Sequence, residues 1–352
     1  MSFTTLIDVD SLKALQAQAV PGERLVLLDC RFDLAKPDAG RQAYLTSHIP
    51  GARHADLDRD LAGPVTAASG RHPLPSPAAL EDFLGSVGID AATQVVAYDA
   101  ANGSFAARAW WLLNWLGMPQ VAVLDGGFNA WVSSGGALES GEADAIPCRS
   151  AAPRPSGSLA ESRPGSLAGS RAQAHAGSLA RPRAEGLSWS LSGSLSGPLS
   201  GPLPGGASGG PSGGPSGSRT DLVATADEVL ESLGIPGRLL VDARAPERFA
   251  GSVEPLDRVA GHVPGAVNHP FTSNLGLEGC FLPAVELRQR WLARLRGTPP
   301  GDVTVMCGSG VTACHNLLAM AVAGLRGARR YAGSWSEWIR DPDRPVARDP
   351  TP

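Results

Sequence analysis

The sequence predicts an α/β protein built from two copies of one unit, and three observations carry that prediction. Short β-branched runs alternate with helical stretches, the pattern of parallel sheets covered by helices on both faces. Four landmarks recur in the same order in each half of the 352-residue chain, which marks an internal duplication. Between the halves, over residues 150–219, the composition collapses to Ser, Gly, Pro and Leu with no period that could pack. The chain therefore divides into an N-terminal domain over 1–149, a Ser/Gly/Pro linker over 150–219 expected to be disordered, and a C-terminal domain over 220–352.

In the first copy, Leu12 and Leu15 share one face of a helix over 8–18, and 25–28 is a buried strand ending at Asp29-Cys30-Arg31. A long loop carries His48-Ile49-Pro50-Gly51-Ala52, then Asp56, Asp58 and Asp60, then Gly70-Arg71-His72-Pro73. Ser76 can cap a helix reaching about residue 87, with Pro77 at its first position. A strand over 94–98 ends at Asp99, a Trp-rich helix covers 105–116, and a strand over 121–124 leads into Asp125-Gly126-Gly127-Phe128-Asn129-Ala130-Trp131. The second copy has a helix over 226–233 and a strand over 238–241 ending at Asp242-Ala243-Arg244. Its loop reaches His262-Val263-Pro264-Gly265-Ala266, then come a helix over 283–295, a strand over 303–306, a helix over 311–323 and the closing Gly333-Ser334-Trp335-Ser336-Glu337-Trp338.

The copies keep step. Asp29 precedes His48 by 19 residues and Asp242 precedes His262 by 20; Asp99 precedes Trp131 by 32 and Cys307 precedes Trp338 by 31. The informative difference is at the end of the central strand, where the second copy has Cys307 and the first has Asp99. Cys307 is followed by Gly308-Ser309-Gly310 and then by a helix, so the sulfur sits on a tight turn at a helix N-terminus. Unpaired N–H groups and the positive end of the helix dipole favour a thiolate there, ready as a nucleophile at neutral pH. The bland alternative is a buried structural cysteine before a glycine turn. The first copy, lacking a thiol, is expected to form a wall of the site.

Composition excludes several classes. Hydrophobic content of 43% suits globular cores, and a net charge of −4 gives no global pull toward nucleic acid or membrane surfaces. Five cysteines without a CxxC pair suggest neither a disulfide framework nor a zinc site, and no cofactor is implied. The first residues lack a basic region followed by an apolar run, and no stretch is long enough to span a bilayer, so a reducing cytoplasm is the expected setting.

The motifs HIPGA, DGGFNAW, HVPGA, CGSGVTA and GSWSEW together resemble the tandem rhodanese family of sulfurtransferases, over both halves but not the linker. The resemblance implies two α/β domains, each with a five-stranded parallel sheet, and one active cysteine in the C-terminal copy. It implies a small-molecule sulfur donor, a Cys307 persulfide, and a thiol or cyanide acceptor, with a thioredoxin-like reductant as a further possible partner. The outer sulfur of the persulfide would be stabilised by the loop N–H groups of Gly308, Gly310, Val311 and Thr312, as an oxyanion is in its hole.

Family members with basic side chains in this loop, of CRKGV type, prefer thiosulfate. The uncharged Gly308 and Ser309 resemble the CGSGVT loop of 3-mercaptopyruvate sulfurtransferases, so a mercaptopyruvate donor is expected, with thiosulfate as the alternative. Arg248 matches the family's substrate arginine. Arg258 corresponds to a second one, closing Glu254-Pro255-Leu256-Asp257-Arg258 where relatives have EPEPR, though its spacing to HVPGA is altered. Asp56, His72 and Ser309 fall at the positions of a proton relay suggested in some relatives. The other reading of Asp56 and His72 is structural, as caps or bridges between the copies.

His48 and His262 read as structural, because the copy without a nucleophile also has its histidine. Trp335 and Trp338 are expected to pack the last turn, and Asp242 to pair with Arg244. Two other classes compete. A cysteine phosphatase would need an arginine where the sequence has Ala313. A rhodanese-like binding module would not need the thiol and its glycine loop.

Overall fold

The computed structural model describes residues 2–18, 24–143 and 218–348. The linker expected over 150–219 lies outside the described residues apart from Ser218 and Arg219, whose N–H donates to Trp115 O at 2.9 Å. In the first copy β1 (Leu6–Ile7) is followed by α1 (Val9–Ala17), β2 (Arg24–Asp29), α2 (Asp38–Thr46), β3 (Arg53–His54), α3 (Pro77–Ser86), β4 (Thr93–Tyr98), α4 (Ala106–Trp115), β5 (Val121–Leu124) and α5 (Gly127–Ser133). In the second come β6 (Val223–Ala224), α6 (Ala226–Ser232), β7 (Leu239–Asp242), α7 (Pro246–Ala250), β8 (Val267–Asn268), α8 (Ala284–Leu295), β9 (Val303–Met306), α9 (Thr312–Val322), β10 (Arg329–Tyr331) and α10 (Ser334–Trp338).

Each copy forms one five-stranded parallel sheet, ordered β1-β5-β4-β2-β3 and β6-β10-β9-β7-β8. Replacing each strand of the first order by its counterpart gives the second, so the duplication holds at the level of topology. Register places the sites. Asp29 lies opposite Tyr98, one residue before Asp99, and Asp242 lies opposite Met306, one residue before Cys307. Both positions are therefore at the C-terminal edge of a parallel sheet, where the loops into the helices gather.

Local chemistry explains the helix starts. The Asp8 carboxylate accepts from Ser11 N at 2.7 Å, Ser76 Oγ accepts from Ala79 N at 3.1 Å with Pro77 in the first turn, and Thr225 and Glu228 form a reciprocal capping box. One helix departs from expectation. Residues 38–46 fall in the stretch read as a long loop, yet they form α2. A Cβ on Gly40 would lie 1.9 Å from Arg31 O, so the glycine is there for close packing rather than to break the helix.

Alternation along the strands separates the core into layers. Leu27, Val96 and Ala122 face one cluster with Trp131, and Leu240 and Met306 face another with Trp335 and Trp338. The opposite faces merge. Val26, Val95 and Leu113 of the first copy share one apolar cluster with Val305, Leu318 and Met320 of the second, and α4 packs on α9. Both copies thus belong to one compact unit. Burial of this shared layer, rather than the connection between the copies, holds them together.

Candidate active site

Cys307 ends β9 and is 2% exposed. Its sulfur accepts the N–H of Gly310 at 3.1 Å, and Gly310 takes φ +81°, a left-handed conformation suited to glycine. The turn is pinned from below by the Gly333–Glu337 segment. Cys307 N donates to Ser334 Oγ at 3.1 Å, Trp335 N to Cys307 O at 3.0 Å, and Ser336 N to Gly308 O at 2.8 Å. Trp335 and Trp338 are fully buried, with their indole N–H groups on Val259 O and Pro345 O, as expected for packing residues. Val311 is the N-cap of α9 and Thr312 its first residue, with no side-chain cap, so the first backbone N–H groups of the helix have no side-chain acceptor.

The first copy shows what this turn binds. The Asp99 carboxylate is fully buried and accepts four backbone N–H bonds: Ala101 at 2.7 Å and Gly103 at 2.9 Å on Oδ1, Phe105 at 2.7 Å and Ala106 at 2.8 Å on Oδ2. Burial raises its pKa more than these bonds lower it. The strand-to-helix turn is thus an anion cradle, filled in one copy by the protein's own carboxylate.

His72 reaches the second copy's loop from the first. Its Nδ1 lies 2.7 Å from Ser309 Oγ and its Nε2 lies 3.3 Å from Asp58 Oδ1. Burial, aided by Arg108, Arg71 and Arg330, pushes its pKa down to about 3, so the ring is neutral at neutral pH and the Asp58 contact is not an ion pair. With the ring proton on Nε2, on the side of Asp58, Nδ1 accepts from the Ser309 hydroxyl. The chain is therefore Ser309–His72–Asp58.

The sequence expectation of Asp56 at this place is corrected. Asp56 Oδ1 accepts the N–H groups of Asp58 and Arg59 at 2.9 and 3.1 Å, building the turn that presents Asp58. Three alternating aspartates cannot be told apart in sequence, because the turn decides which one points at the ring.

Arg248, on α7, lies over Gly308. So does Arg71, which the sequence reading passed over. A Cβ on Gly308 would be 3.1 Å from Arg71 Nη2 and 3.4 Å from Arg248 Nη1, so the missing side chain leaves room for the two guanidinium groups. Both hold one carboxylate: Asp257 Oδ1 bonds Arg71 Nη1, and Asp257 Oδ2 bonds Arg248 Nη2 at 3.0 Å. Glu254 Oε1 holds Arg248 at 2.7 Å.

Arg258 is the second correction. Its guanidinium donates to Ile339 O and Arg340 O, at the C-terminal end of α10, and makes no part of this fork. The altered spacing before HVPGA turns it away and brings Asp257 inward instead.

Paired devices recur around both sites. Arg244 pairs with Asp242 at 2.7 Å over the Trp335 ring, as Arg31 pairs with Asp29 at 2.6 Å over Phe128. His262 Nδ1 is 2.8 Å from Phe249 O and stacks on Phe249, as His48 Nδ1 is 2.8 Å from Tyr44 O and stacks on Tyr44. Cys314 is buried in the first turn of α9, with its sulfur on Gly310 O at 3.4 Å. Among the described residues no group of histidine, cysteine and carboxylate side chains could hold a metal ion, and no helix is long and apolar enough to cross a membrane.

Comparison with known proteins agrees with this construction. The rhodanese-like domain family matches twice, over residues 8–134 and 225–341. A probable 3-mercaptopyruvate sulfurtransferase of Pseudomonas aeruginosa is 44% identical over 92% of each chain. A putative thiosulfate sulfurtransferase of Mycobacterium tuberculosis is 36% identical over 93% of this chain and 92% of that one. Among solved structures, the 3-mercaptopyruvate sulfurtransferase from Leishmania major superposes with a TM-score of 0.66 at 27% identity, covering 95% of this chain and 74% of that chain.

Proposed function

The chain belongs to the rhodanese family, with both of its domains, and from that premise we propose that it is a sulfurtransferase moving a sulfane sulfur from 3-mercaptopyruvate through a persulfide on Cys307. The observation that carries the donor assignment is the fork over Gly308, where Arg71 and Arg248 share a single carboxylate, that of Asp257. A fork that holds one planar carboxylate suits the carboxylate of a donor in its place. Glu254 and Asp257 offset the two arginines, so the mouth carries little net charge and does not favour a dianion.

Transfer then follows from the geometry. The Cys307 thiolate attacks the donor sulfur, the bond from that sulfur to C3 breaks, and the electron pair leaves on the pyruvate enolate. Ser309 Oγ takes the thiol proton as its own proton shifts to His72 Nδ1, with Asp58 holding the far side of the ring. Reversal of that shift returns a proton to C3, which gives pyruvate and leaves the persulfide. The outer sulfur would be stabilised beside the Gly310 N–H, which bonds the Cys307 sulfur, and by the uncapped start of α9 at Val311 and Thr312. A thiol, including a thioredoxin-like dithiol, or cyanide then removes it. The free thiols Cys30, Cys280, Cys307 and Cys314 suit a reducing cytoplasm.

Steady-state kcat/KM with 3-mercaptopyruvate and with thiosulfate, cyanide as acceptor, tests the donor. A preference for mercaptopyruvate of about tenfold or more is expected. The reverse preference would overturn the donor assignment and make the two arginines a thiosulfate site, leaving Cys307 chemistry in place.

A further inference from the structure

Two arginines lie fully buried beneath the Cys307 loop. Arg108, on α4, directs its nitrogens to backbone carbonyls: Leu61 O at 2.9 Å, Pro73 O at 3.0 Å, His72 O at 3.2 Å and Gly310 O at 3.4 Å. Arg330, on β10, does not. Among the described residues none of its three guanidinium nitrogens has an oxygen or nitrogen hydrogen-bond partner, and the Cys314 thiol is the one weak acceptor beside it. It stacks on Trp111 at 4.4 Å and presses against the loop, since a Cβ on Gly310 would lie 2.7 Å from its Nη2.

A guanidinium does not shed its charge as a buried amine does, and a buried cation without a partner is among the most expensive features a core can hold. Such a residue calls for an anion. The ionisable groups acting on Arg330 are Cys314, Cys307 and the like-charged Arg108, with no carboxylate among them. Burial lowers the pKa of Arg330, and burial with the neighbouring Arg330 pushes Arg108 down to about 9; it is the chemistry of the guanidinium group that keeps both protonated. Meanwhile the catalytic loop itself has only Gly308 and Ser309 where a cation could stand.

We infer that Arg330 is the internal counter-cation of the Cys307 thiolate and of its persulfide, supplying from beneath the loop the positive charge that the loop side chains lack. It is a positioning residue that acts through its field on the sulfur and through its contact with Gly310. The assignment rests on Cys307 being the nucleophile. Cys314 is the rival anion, as its sulfur adjoins the same guanidinium, but burial raises its pKa and keeps it a thiol.

The test is the pH profile of Cys307 alkylation by iodoacetamide in the full chain, followed on the Cys307 peptide by mass spectrometry. Wild type is compared with Arg330→Met, Arg330→Gln, Arg330→Lys and Cys314→Ala. The other groups around the sulfur stay the same in the Arg330 variants: Arg108 on α4, Arg71 and His72 from the first copy, Arg248 on α7, Asp257 at the fork and Cys314 on α9. Both neutral variants should react about tenfold more slowly near neutral pH and converge with wild type in strongly alkaline buffer. Arg330→Lys should recover most of the rate, and the neutral variants should melt no lower than wild type, because an unpaired buried charge has gone.

An unchanged alkylation profile in the neutral variants overturns the inference. So does the same slowing in Cys314→Ala, and so does failure of both neutral variants to fold, since Arg330 would then be structural. Persulfide formation on wild-type Cys307 separates the outcomes: if it forms and the profiles match, only the role of Arg330 falls.

Discussion

At the end of β4 the Asp99 carboxylate takes four backbone N–H bonds from its own loop, whereas among the described residues the Cys307 sulfur at the end of β9 takes one, from Gly310. The two turns leave the corresponding central strands of the two sheets and enter helices that pack on each other. The first loop is two residues longer, which lets it wrap around the carboxylate. The fold itself makes an anion cradle. One copy closes it with a carboxylate, and the other leaves in it a cysteine sulfur, the one proposed to take on a second sulfur. Stability and chemistry are thereby divided between two versions of one turn.

That division can be broken from either side. Cys307→Ser should abolish transfer, a loss of about 10⁴-fold or more in kcat/KM, while its unfolding free energy stays within about 1 kcal/mol of wild type. Asp99→Ala should do the opposite. It leaves four buried N–H groups without an acceptor and should lower stability by about 3 kcal/mol in denaturant unfolding. A Cys307→Ser variant that keeps transfer, or an Asp99→Ala variant as stable as wild type, breaks the comparison.

Smaller effects sharpen it, because in the proposed donor site the second copy also draws on the first, through Arg71. Arg248→Ala and Arg71→Ala should each raise the KM for mercaptopyruvate about 30-fold, the loss of a charge-assisted contact to a carboxylate. An effect confined to Arg248 would remove the first copy from the donor site.

His72→Asn should lower kcat by about tenfold to a hundredfold. Wild-type kcat/KM should show no acid limb near pH 6.5, since burial holds the free-enzyme His72 pKa at about 3. The depressed value means that His72 contributes most to stability above its ordinary pKa and that this contribution is lost as pH falls from 6.5 toward 3. The variant should therefore resist acid unfolding better than wild type.

The smallest change is expected from Asp257→Asn, which weakens the internal carboxylate in the fork. The KM for mercaptopyruvate should fall about threefold. A rise would mean that Asp257 orients the arginines rather than competing with the donor.

The long strands, the glycine turn after Cys307 and the duplication were legible in sequence, because each rests on a local pattern. The two-residue strands β1, β3, β6 and β8 were not, since two residues hold no period and are strands only through their neighbours. The helix α2 was not recognised either, and its Gly40 is explained only by the close approach to Arg31 O. At the site, Cys307 and Arg248 were visible from motif and position. Asp58, Arg71 and Arg330 were not. Choosing Asp58 over Asp56 needs the turn geometry, Arg71 acts across the interface between copies, and Arg329-Arg330 reads as a charged edge although Arg330 points into the core.

The most direct test of sulfur held in the Cys307 cradle is the mass of the full-length protein after brief exposure to 3-mercaptopyruvate with no acceptor present. The chain should gain one sulfur atom, localised to the Cys307 peptide and lost on adding cyanide. A mass that does not change, or a sulfur found on Cys30, Cys280 or Cys314 instead, would contradict the account.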